Sequence, residues 1–454
     1  MLNGPSNGMN KIPPHNAEAE ESVLGALMID RDAIFRVTDI LSPDDFYRPD
    51  NAKLYRAILK LYEKSSAIDI VTLTEELKLN NELEAIGGAT RLVDLTSSVP
   101  SASHVEEYAN IVKKKKMLRD LITASGRISE EAFNPKDDEV EDILDRVEQS
   151  IFSISARSNS LKYADLREEL AGAYKRIELL NSREGVLRGV GTGFTGLDNI
   201  LSGLQRTDLV ILGARPSVGK TTLAMDVARY AAVEEKRSVL IFSLEMSKDQ
   251  IVDRIISAES QVALWKMRNG KLKDDLDYQM IQAAMSALSD VKLFIEDSPH
   301  PSILQMKSIA RRIEKEHSLD LIVVDYLGLI RAQTKSDNVV QQVSEISRGL
   351  KIMAKELNVP VLALAQLNRG IESRDSRIPR LSDLRDSGSI EQDADVVMFI
   401  YRKDQGQANP DPEDKNMAEI IVAKHRNGPL GTVALKFAPD QVSFKNIDTY
   451  HHES

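Results

Sequence analysis

The sequence lacks cysteine altogether, since none of its 454 residues is a Cys. That absence excludes disulfides, thiolate nucleophiles and any zinc or iron–sulfur centre held by cysteine. No apolar run reaches the roughly 20 residues that a membrane-spanning helix requires, and the N-terminal residues lack the charged-then-apolar pattern of a secretion signal. The seven histidines show no metal-binding spacing. We therefore expect a soluble cytoplasmic protein without zinc chemistry.

Positive charge is also in deficit, because the formal net charge is −11. An acidic chain is not expected to coat nucleic acid over a broad surface. Binding depends on local charge, however, so a few basic loops that face a strand are compatible with this balance. The length and a hydrophobic content of 42% predict two or three globular domains with substantial cores.

The pattern along the chain predicts four segments. Residues 1–11 are polar and are expected to form a disordered tail. Residues 12–155 are predicted to form an all-helical domain, and residues 156–188 a linker that contains one short helix. From residue 189 to residue 454 the pattern changes to strands that alternate with helices, which is typical of an α/β domain.

Local signals predict where helices begin in the first domain. Asn16 is placed to cap a helix that starts near Ala17. Thr72 and Glu75 have the spacing of a capping box ahead of another helix. Residues 104–154 predict two longer helices, split by an Asn-Pro pair, that fold back on each other as a helical hairpin.

The predicted helix in the linker carries an apolar stripe of Leu166, Leu170, Tyr174 and Ile177. Such a stripe must pack against something, because exposed apolar surface is unfavourable in water. Two partners fit equally well at this point: a neighbouring subunit, or another part of the same chain.

Short β-rich runs follow one another in the second domain. Most of them are separated by helical patterns, which predicts a mostly parallel sheet with crossover helices. The last three lie close together and predict an antiparallel extension at one edge. The predicted strands are Leu209–Leu212, Val239–Leu244, Leu293–Ile295, Leu321–Asp325, Val361–Ala365, Val396–Tyr401, Glu419–Ala423, Thr432–Phe437 and Val442–Phe444.

The strongest motif is GARPSVGKTT at residues 213–222, between a predicted strand and a predicted helix. This is the context of a phosphate-binding loop, in which backbone N–H groups and the helix N-terminus attract phosphates. Lys220 is expected to reach the β- and γ-phosphates and Thr221 to ligate Mg²⁺. The usual first glycine is replaced by Ala214, with Gly213 one position early. The residues expected to contact the nucleotide are Ser217, Val218, Gly219, Lys220, Thr221 and Thr222.

Polar residues close three other predicted strands. Asp325 ends an apolar run and matches the Walker-B carboxylate that serves Mg²⁺. Glu245 follows the strand after the phosphate loop and is our candidate for the general base that activates water. Gln366 is placed to sense the γ-phosphate. Each has a plainer interpretation, since polar residues often end strands or start helices, but parallel strands deliver all three to one edge.

Two further segments combine basic residues with turns. Lys424 and Arg426 precede a Gly-Pro turn and predict a projecting basic tip. Such a tip can enter the ATP site of a neighbouring chain as an arginine finger, or be a solvated hairpin end. Arg385, Asp386 and Gly388 lie in a Ser/Gly turn suited to contacts with the phosphates of a DNA backbone.

These motifs occur together, in order, in a known family. GARPSVGKTT, FSLEMS, VVDYLGLI, QQVSEISRGLK, ALAQLNR, SGSIEQDAD and AKHRNGP lie in the second domain, and IPPHNAEAEESVLGALMID, DDFYRP, EAIGG and SVPSASHVEEYA in the first. The chain resembles the replicative DNA helicases of the DnaB family. The resemblance extends over nearly the whole chain, from Ile12 to about Lys445.

The resemblance implies a two-tiered homohexameric ring. Residues 12–155 would form a helical collar, the linker helix would dock on the adjacent subunit, and residues 189–454 would form a RecA-like ATPase domain. The ring would pass single-stranded DNA through its centre, move 5′ to 3′ and unwind forked DNA. Primase would bind the N-terminal domain, and a loader would open the ring. The expected location is the bacterial replisome, or the host cytoplasm for a phage protein.

Site roles also follow from the resemblance. ATP and Mg²⁺ are implied, with Lys220 and Thr221 in Walker-A roles. Glu245, Asp325 and Gln366 keep the roles given above, Lys424 and Arg426 would act in trans on the neighbour's ATP, and Arg385, Asp386 and Gly388 would contact the DNA backbone. Asp386 stands where members often carry Glu, which weakens that assignment.

Two other functions share parts of this pattern. A RecA-like recombinase would have a similar core but would form filaments and lack the long helical first domain. A regulatory ATP-binding scaffold would assemble rings without unwinding DNA. Glu245 and Arg426 argue against an inactive ATPase, so the helicase is the preferred hypothesis.

Overall fold

The structure is a computed structural model, and it describes residues 12–99, 101–135, 140–156, 166–167, 170, 172–174, 178, 187–272, 274–332, 338–368, 370–371, 374, 377–384, 388–405, 411–412 and 414–447. The chain divides into two compact units, with the break between Glu169 and Leu170. That break lies inside the segment 156–188 that the sequence predicts as a linker.

The first unit is helical. Its α-helices span Ala17–Ile29, Ala33–Val37, Pro49–Glu63, Ile70–Leu79, Gly88–Ser98, Val105–Phe133 and Val140–Ala156, and its short 3₁₀ helices span Pro43–Asp45 and Glu84–Ile86. The predicted cap at Asn16 is present, because its side chain accepts a hydrogen bond from the Ala19 N–H. Leu24, Leu27, Leu54 and Ile58 are buried together in one core.

One predicted helix start is wrong. The helix Ile70–Leu79 begins two residues before Thr72, and Asp69 is its N-cap. The Asp69 carboxylate accepts hydrogen bonds from the N–H groups of Val71 and Thr72, at 2.9 Å each. Thr72 serves as the third residue of the capping box, since its hydroxyl accepts from the Asp69 N–H.

The last two helices of the first unit pack as the predicted hairpin. Val105–Phe133 and Val140–Ala156 lie against each other, and Arg146 Nε lies 3.4 Å from Glu131 Oε2. In the linker, Leu166, Leu170 and Tyr174 are helical and exposed, whereas Ile177 lies outside the described residues.

The second unit is built on a nine-stranded sheet in the part that the structure describes. The strands are β1 Leu209–Ala214, β2 Val239–Ser243, β3 Leu293–Glu296, β4 Leu321–Asp325, β5 Val361–Gln366, β6 Val396–Tyr401, β7 Met417–His425, β8 Gly431–Ala438 and β9 Ser443–Asn446. Their order in the sheet is β3-β2-β4-β5-β1-β6-β7-β8-β9; β1 to β6 run parallel, and β7 to β9 are antiparallel. The predicted fold class is therefore confirmed.

Helices cover both faces of this sheet, which explains why its central strands are apolar throughout. Successive side chains of a strand point to opposite faces. Val210 and Leu212 therefore pack on one face with the helix Lys220–Val233, while Leu209 and Ile211 pack on the other. The helices span Thr195–Leu201, Lys220–Val233, Lys248–Ser260, Leu264–Arg268, Asp275–Ser289, Ile303–His317, Val339–Leu357 and Gly388–Asp393, and short 3₁₀ helices span Leu327–Leu329 and Leu381–Asp383.

Within the described residues, none of the helices combines the length and the apolarity that crossing a bilayer requires.

Candidate nucleotide site

The carboxyl ends of four adjacent parallel strands form the candidate site. Strands β2, β4, β5 and β1 lie side by side, so the residues that end them share one edge of the sheet. In the register of the sheet, Ser243 pairs with Asp325 and Ala214 pairs with Gln366. This edge is where open parallel sheets bind ligands.

The phosphate loop leaves β1 and enters the helix Lys220–Val233, called here the phosphate-loop helix. Gly219 precedes the helix with a φ of 107°, a left-handed conformation that favours glycine. A Cβ at Gly219 would lie 2.9 Å from Phe444 Cζ, so a side chain has no room there. The unusual glycine at 213 also has a packing cause, because a Cβ there would lie 2.8 Å from the Phe399 ring.

A hydroxyl, a carboxylate and an ammonium group converge at the start of this helix. The Thr221 hydroxyl donates to Asp325 Oδ2 at 2.6 Å, and Lys220 Nζ lies 3.6 Å from Asp325 Oδ1. Lys220 Nζ also lies 4.3 Å from the centre of the Tyr326 ring. Burial lowers the pKa of Lys220, although Asp325 and Glu245 act in the opposite direction.

Asp325 is 0% exposed, and its Oδ1 has no hydrogen-bond partner in the described part of the chain. Lys220 Nζ, at 3.6 Å, is near enough to pair with this oxygen but too far to hydrogen-bond it, and a buried carboxylate oxygen without a hydrogen bond is costly. Hard divalent cations prefer carboxylate and hydroxyl oxygens, and Thr221 offers the second oxygen beside it. The residues present therefore fit a divalent metal ion at this point.

A pocket of about 600 Å³ opens over the phosphate loop. A volume of this size suits a small-molecule ligand. Of the residues predicted from sequence, Ser217, Gly219, Lys220, Thr221, Thr222, Glu245 and Gln366 line it. Val218 does not, because its side chain is 4% exposed and packs in the hydrophobic core, so only its backbone is available to a nucleotide.

Sequence reasoning missed three arginines of this pocket. Arg215 lies within the phosphate-loop motif, and Arg254 and Arg268 line the pocket from outside the motif. In the described residues, the Arg254 Nε is buried without a hydrogen-bond partner. Burial, followed by the neighbouring charge of Arg268, lowers the pKa of Arg254, while Asp325 and Glu245 act in the opposite direction. The sequence held one signal for Arg254, because this arginine lies on the helix that follows Glu245 at the end of a strand.

The C-terminal strands close one side of the pocket, since Phe437 and Val442 line it. A buried carboxylate fixes them in place. Asp226 of the phosphate-loop helix accepts hydrogen bonds from the Ser443 hydroxyl at 2.9 Å and from the Phe444 N–H at 2.7 Å. The phosphate loop and the C-terminal extension are thus connected through one side chain.

Lys424 and Arg426 lie at the amino ends of the parallel strands, whereas the nucleotide site lies at their carboxyl ends. The Arg426 N–H donates to the Asp395 carbonyl, and the Asp395 N–H donates to the carbonyl of Leu209, the first residue of β1. The phosphate loop follows the last residue of β1, about 17 Å away along a six-residue strand. Neither cation lines the nucleotide pocket of its own chain.

The predicted projecting tip is wrong in detail. Lys424 belongs to β7, and its ammonium group donates to the carbonyls of Glu391 and Ala394. Arg426 donates to the Gln392 carbonyl and to Asp395 Oδ1. The sequence did not reveal this because most of the acceptors are backbone carbonyls of another segment.

Of the three residues predicted to contact DNA, only Gly388 can be placed. It is exposed and begins the helix Gly388–Asp393. Arg385 and Asp386 lie outside the described residues.

A parallel sheet between two helical layers, with a phosphate loop after β1 and a carboxylate at the end of β4, defines a P-loop ATPase with a RecA-like core. Residues 189–446 match the model of the DnaB-like helicase C terminal domain, and residues 12–114 match that of the DnaB-like helicase N terminal domain. The chain belongs to the family of DnaB-like replicative DNA helicases.

Relatives and solved structures agree with this assignment. The chain is 43% identical to the replicative DNA helicase DnaC of Bacillus subtilis strain 168, over 97% of this chain and 96% of the relative. It is 43% identical to the replicative DNA helicase DnaB of Geobacillus stearothermophilus, over 98% and 97% respectively. One solved structure is described as that of a DnaB-like replicative helicase and its interactions with primase. It matches this chain with a TM-score of 0.73 at 30% identity, over 95% of this chain and 100% of that chain.

Of the three functions considered from sequence, the replicative DNA helicase is confirmed, and the enzyme is an ATP-dependent helicase. Membership of the family implies the use of a nucleotide and a divalent metal ion, and the binding of DNA.

Proposed function

We propose that this helicase is a homohexameric ring that hydrolyses ATP with Mg²⁺ and moves 5′ to 3′ along single-stranded DNA at the replication fork. The observation that carries the proposal is the pocket lined by the phosphate loop, Glu245 and Gln366, in which Thr221 hydrogen-bonds the buried Asp325 behind it. Cytoplasmic localisation follows from this function, since the enzyme acts on replicating DNA.

The chemistry assigned to the pocket is the hydrolysis of the γ-phosphate. Lys220 and the N–H groups of the phosphate loop bind the β- and γ-phosphates, and Thr221 with Asp325 would hold Mg²⁺, which neutralises charge on the phosphates when bound. Glu245 orients the attacking water and takes its proton. Gln366 contacts the γ-phosphate and reports its loss to the neighbouring loops.

Lys424 and Arg426 complete the site of the neighbouring subunit. Their position supports this role, because they are attached at the start of β1 and the phosphate loop follows its end, one strand length of about 17 Å further on. A contact between unlike surfaces generates a closed ring when its rotation closes. The exposed Glu245 is consistent with a pocket that a second subunit covers.

DNA is assigned to the centre of the ring. Arg385, Asp386 and Gly388 contact the phosphate backbone of the enclosed strand without reading its sequence. This arrangement accounts for a net charge of −11, since DNA meets only a few loops.

Two protein partners are part of the proposal. The N-terminal domain recruits primase. The similarity to the DnaB-like helicase whose structure is described together with its interactions with primase supports this partner. A loader opens the ring for entry of the strand. The short helix within the linker 156–188 docks on the adjacent subunit, which would cover the exposed Leu166, Leu170 and Tyr174.

The test of the proposal is strand separation on forked DNA with ATP and Mg²⁺, comparing a free 5′ tail with a free 3′ tail on the loading strand. We expect unwinding that requires the 5′ tail and is lost in Lys220→Ala. Unwinding that requires only the 3′ tail would contradict the polarity. DNA-stimulated ATP hydrolysis without unwinding by either tail, even with a loader present, would contradict the translocating ring.

A mixing experiment tests the action of Arg426 in trans. Arg426→Ala and Lys220→Ala each disable one half of every interface, so each alone should hydrolyse little ATP. Mixed rings contain interfaces with an intact Lys220 on one side and an intact Arg426 on the other, so turnover should partly recover. If no mixing ratio restores turnover, Arg426 does not act across the interface.

A further inference from the structure

The two cations assigned to the neighbouring site are engaged within their own chain. Lys424 Nζ donates to the Glu391 carbonyl and, at 2.7 Å, to the Ala394 carbonyl, and an Arg426 Nη donates to the Gln392 carbonyl. Glu391 and Gln392 belong to the last turn of the helix Gly388–Asp393, called here the short helix. The final carbonyls of a helix have no partner within it and carry partial negative charge, so they attract cations.

Asp395, two residues beyond the short helix, holds Arg426 by two further contacts. Its carbonyl accepts the Arg426 N–H at 2.9 Å, and its Oδ1 lies 3.3 Å from Arg426 Nη1. The other carboxylate oxygen accepts hydrogen bonds from the Leu209 N–H, at 2.8 Å, and from the Lys351 ammonium group. Asp395 is 5% exposed, so this carboxylate attaches Arg426 firmly to the start of β1.

These contacts compete with catalysis in trans. The guanidinium edge that bonds the Gln392 carbonyl and the Asp395 carboxylate is not available to a γ-phosphate, and the Asp395 carboxylate offsets the positive charge that a phosphate of another subunit would meet. Arg426 therefore stabilises the charge that develops during hydrolysis best after it leaves its carbonyl and carboxylate partners.

We propose that Asp395 and the last turn of the short helix hold Lys424 and Arg426 in a resting position, and that a shift of the short helix releases them. Asp395 is a positioning residue for the arginine finger, and the inference rests on the proposed trans role of Arg426. The short helix begins at Gly388, a predicted DNA contact, and its six residues span about 9 Å. A DNA strand that displaces Gly388 therefore also displaces the last turn of the short helix, which holds Lys424 and Arg426.

The primary variant is Asp395→Asn, which removes the charge but keeps an oxygen for the Leu209 N–H. We expect ATP turnover without DNA to rise about fivefold, in line with the loss of one partly exposed ion pair. Turnover with DNA should change little, so the ratio of DNA-stimulated to DNA-independent turnover should fall by a similar factor.

Asp320→Asn is the matched control. Asp320 lies at the same edge of the sheet, accepts a hydrogen bond from the Ser238 N–H, and pairs with Arg206 and Arg237. None of these partners belongs to the group that holds Lys424 and Arg426. A merely structural role for Asp395 would lower stability and turnover as in Asp320→Asn, with the stimulation ratio unchanged.

Lys351→Gln tests the inference in the opposite direction, and it decides the matter if Asp395→Asn does not fold. Without the Lys351 ammonium group, the Asp395 carboxylate keeps its ion pair with Arg426 and should hold that guanidinium more tightly. DNA-independent turnover should therefore fall and the stimulation ratio should rise. An unchanged ratio in both variants would overturn the inference.

The failure of this inference differs from that of the proposed function. Arg426→Ala with wild-type turnover would refute the trans role itself. Arg426→Ala without turnover, combined with an Asp395→Asn variant that behaves like Asp320→Asn, would refute only the resting position.

Discussion

Asp226 offers a prediction that is independent of any assay of unwinding. It is 4% exposed and joins the phosphate-loop helix to β9 through the Ser443 hydroxyl and the Phe444 N–H. Burial raises the pKa of Asp226 from 3.8 to about 6, although the Phe444 N–H and Arg229 act in the opposite direction. The folded protein therefore binds this proton more tightly than the unfolded chain does.

The sign and size of the effect follow from that difference. Where the folded state binds more protons, stability falls as the pH rises. The loss begins near the unfolded pKa of 3.8 and is complete above the folded pKa of about 6. At 1.36 kcal/mol per pKa unit, the loss of unfolding free energy amounts to about 3 kcal/mol. Asp226→Asn cannot ionise, so the variant should lack this loss.

The assay uses the single tryptophan, Trp265, which belongs to the second unit and reports its unfolding in urea. The difference in unfolding free energy between Asp226→Asn and wild type should shift by about 2.4 kcal/mol in favour of the variant between pH 4 and pH 7. Asp249→Asn, at an exposed position of the next helix, measures the effect of the substitution itself. A difference that does not vary with pH would refute the reasoning.

Three predictions concern the nucleotide pocket. Glu245→Gln should lower kcat by roughly 10²–10⁴-fold, because the amide cannot take a proton from water, while the equilibrium Kd for ATP stays within about twofold of wild type. A loss of ATP binding as large as the loss of kcat would argue against a general base. We expect Arg254, which lines the pocket, to donate one charged hydrogen bond to the bound phosphates. Arg254→Gln should therefore raise the KM for ATP about tenfold, whereas Lys248→Gln at the exposed start of the same helix should leave KM unchanged. Gly219→Ala should abolish ATP binding in a fluorescent-nucleotide titration, because φ is 107° and the new Cβ would lie 2.9 Å from Phe444 Cζ; normal binding would show that the loop tolerates a side chain.

The sheet was predictable because its signals are local. Each strand of the second unit was found within about two residues of its ends, since apolar β-rich runs and intervening helical patterns need no long-range information. The convergence of Asp325, Glu245 and Gln366 at one edge also followed, because parallel strands place their carboxyl ends together. The order of the strands in the sheet could not be predicted from these signals and was seen only in the structure.

Features that depend on choosing between overlapping signals were less predictable. Asp69 and Thr72 are both good capping residues, three positions apart, and the prediction followed the capping-box spacing of Thr72 and Glu75. In the structure one carboxylate oxygen of Asp69 accepts two backbone N–H groups, so Asp69 caps the helix and Thr72 supports it. Val218 is a similar case, since the motif marks the position but only packing shows that its side chain enters the core.

Residues brought together by distant segments were the hardest to predict. Arg254 reaches the pocket from a helix with no phosphate-binding motif of its own. The partners of Lys424 and Arg426 include the backbone carbonyls of residues 391, 392 and 394, and backbone acceptors leave no trace in a sequence.

On the proposed trans role of Lys424 and Arg426, the direction of β7 explains why one chain would not hold a complete site. Had β7 run parallel to β6, the basic residues at its end would have reached the edge that carries the phosphate loop. Because β7 is antiparallel, Val397 near the start of β6 pairs with Lys424 near the end of β7, which brings the cations to the other edge. The phosphate loop lies at one end of the parallel strands, and the proposed trans-acting cations lie at the other end. In the proposed ring, each chain therefore supplies cations to the ATP site of one neighbour and receives cations from the other neighbour. Such a chain can complete every site only by joining copies of itself head to tail, and a closed ring is the finite assembly that leaves no site incomplete.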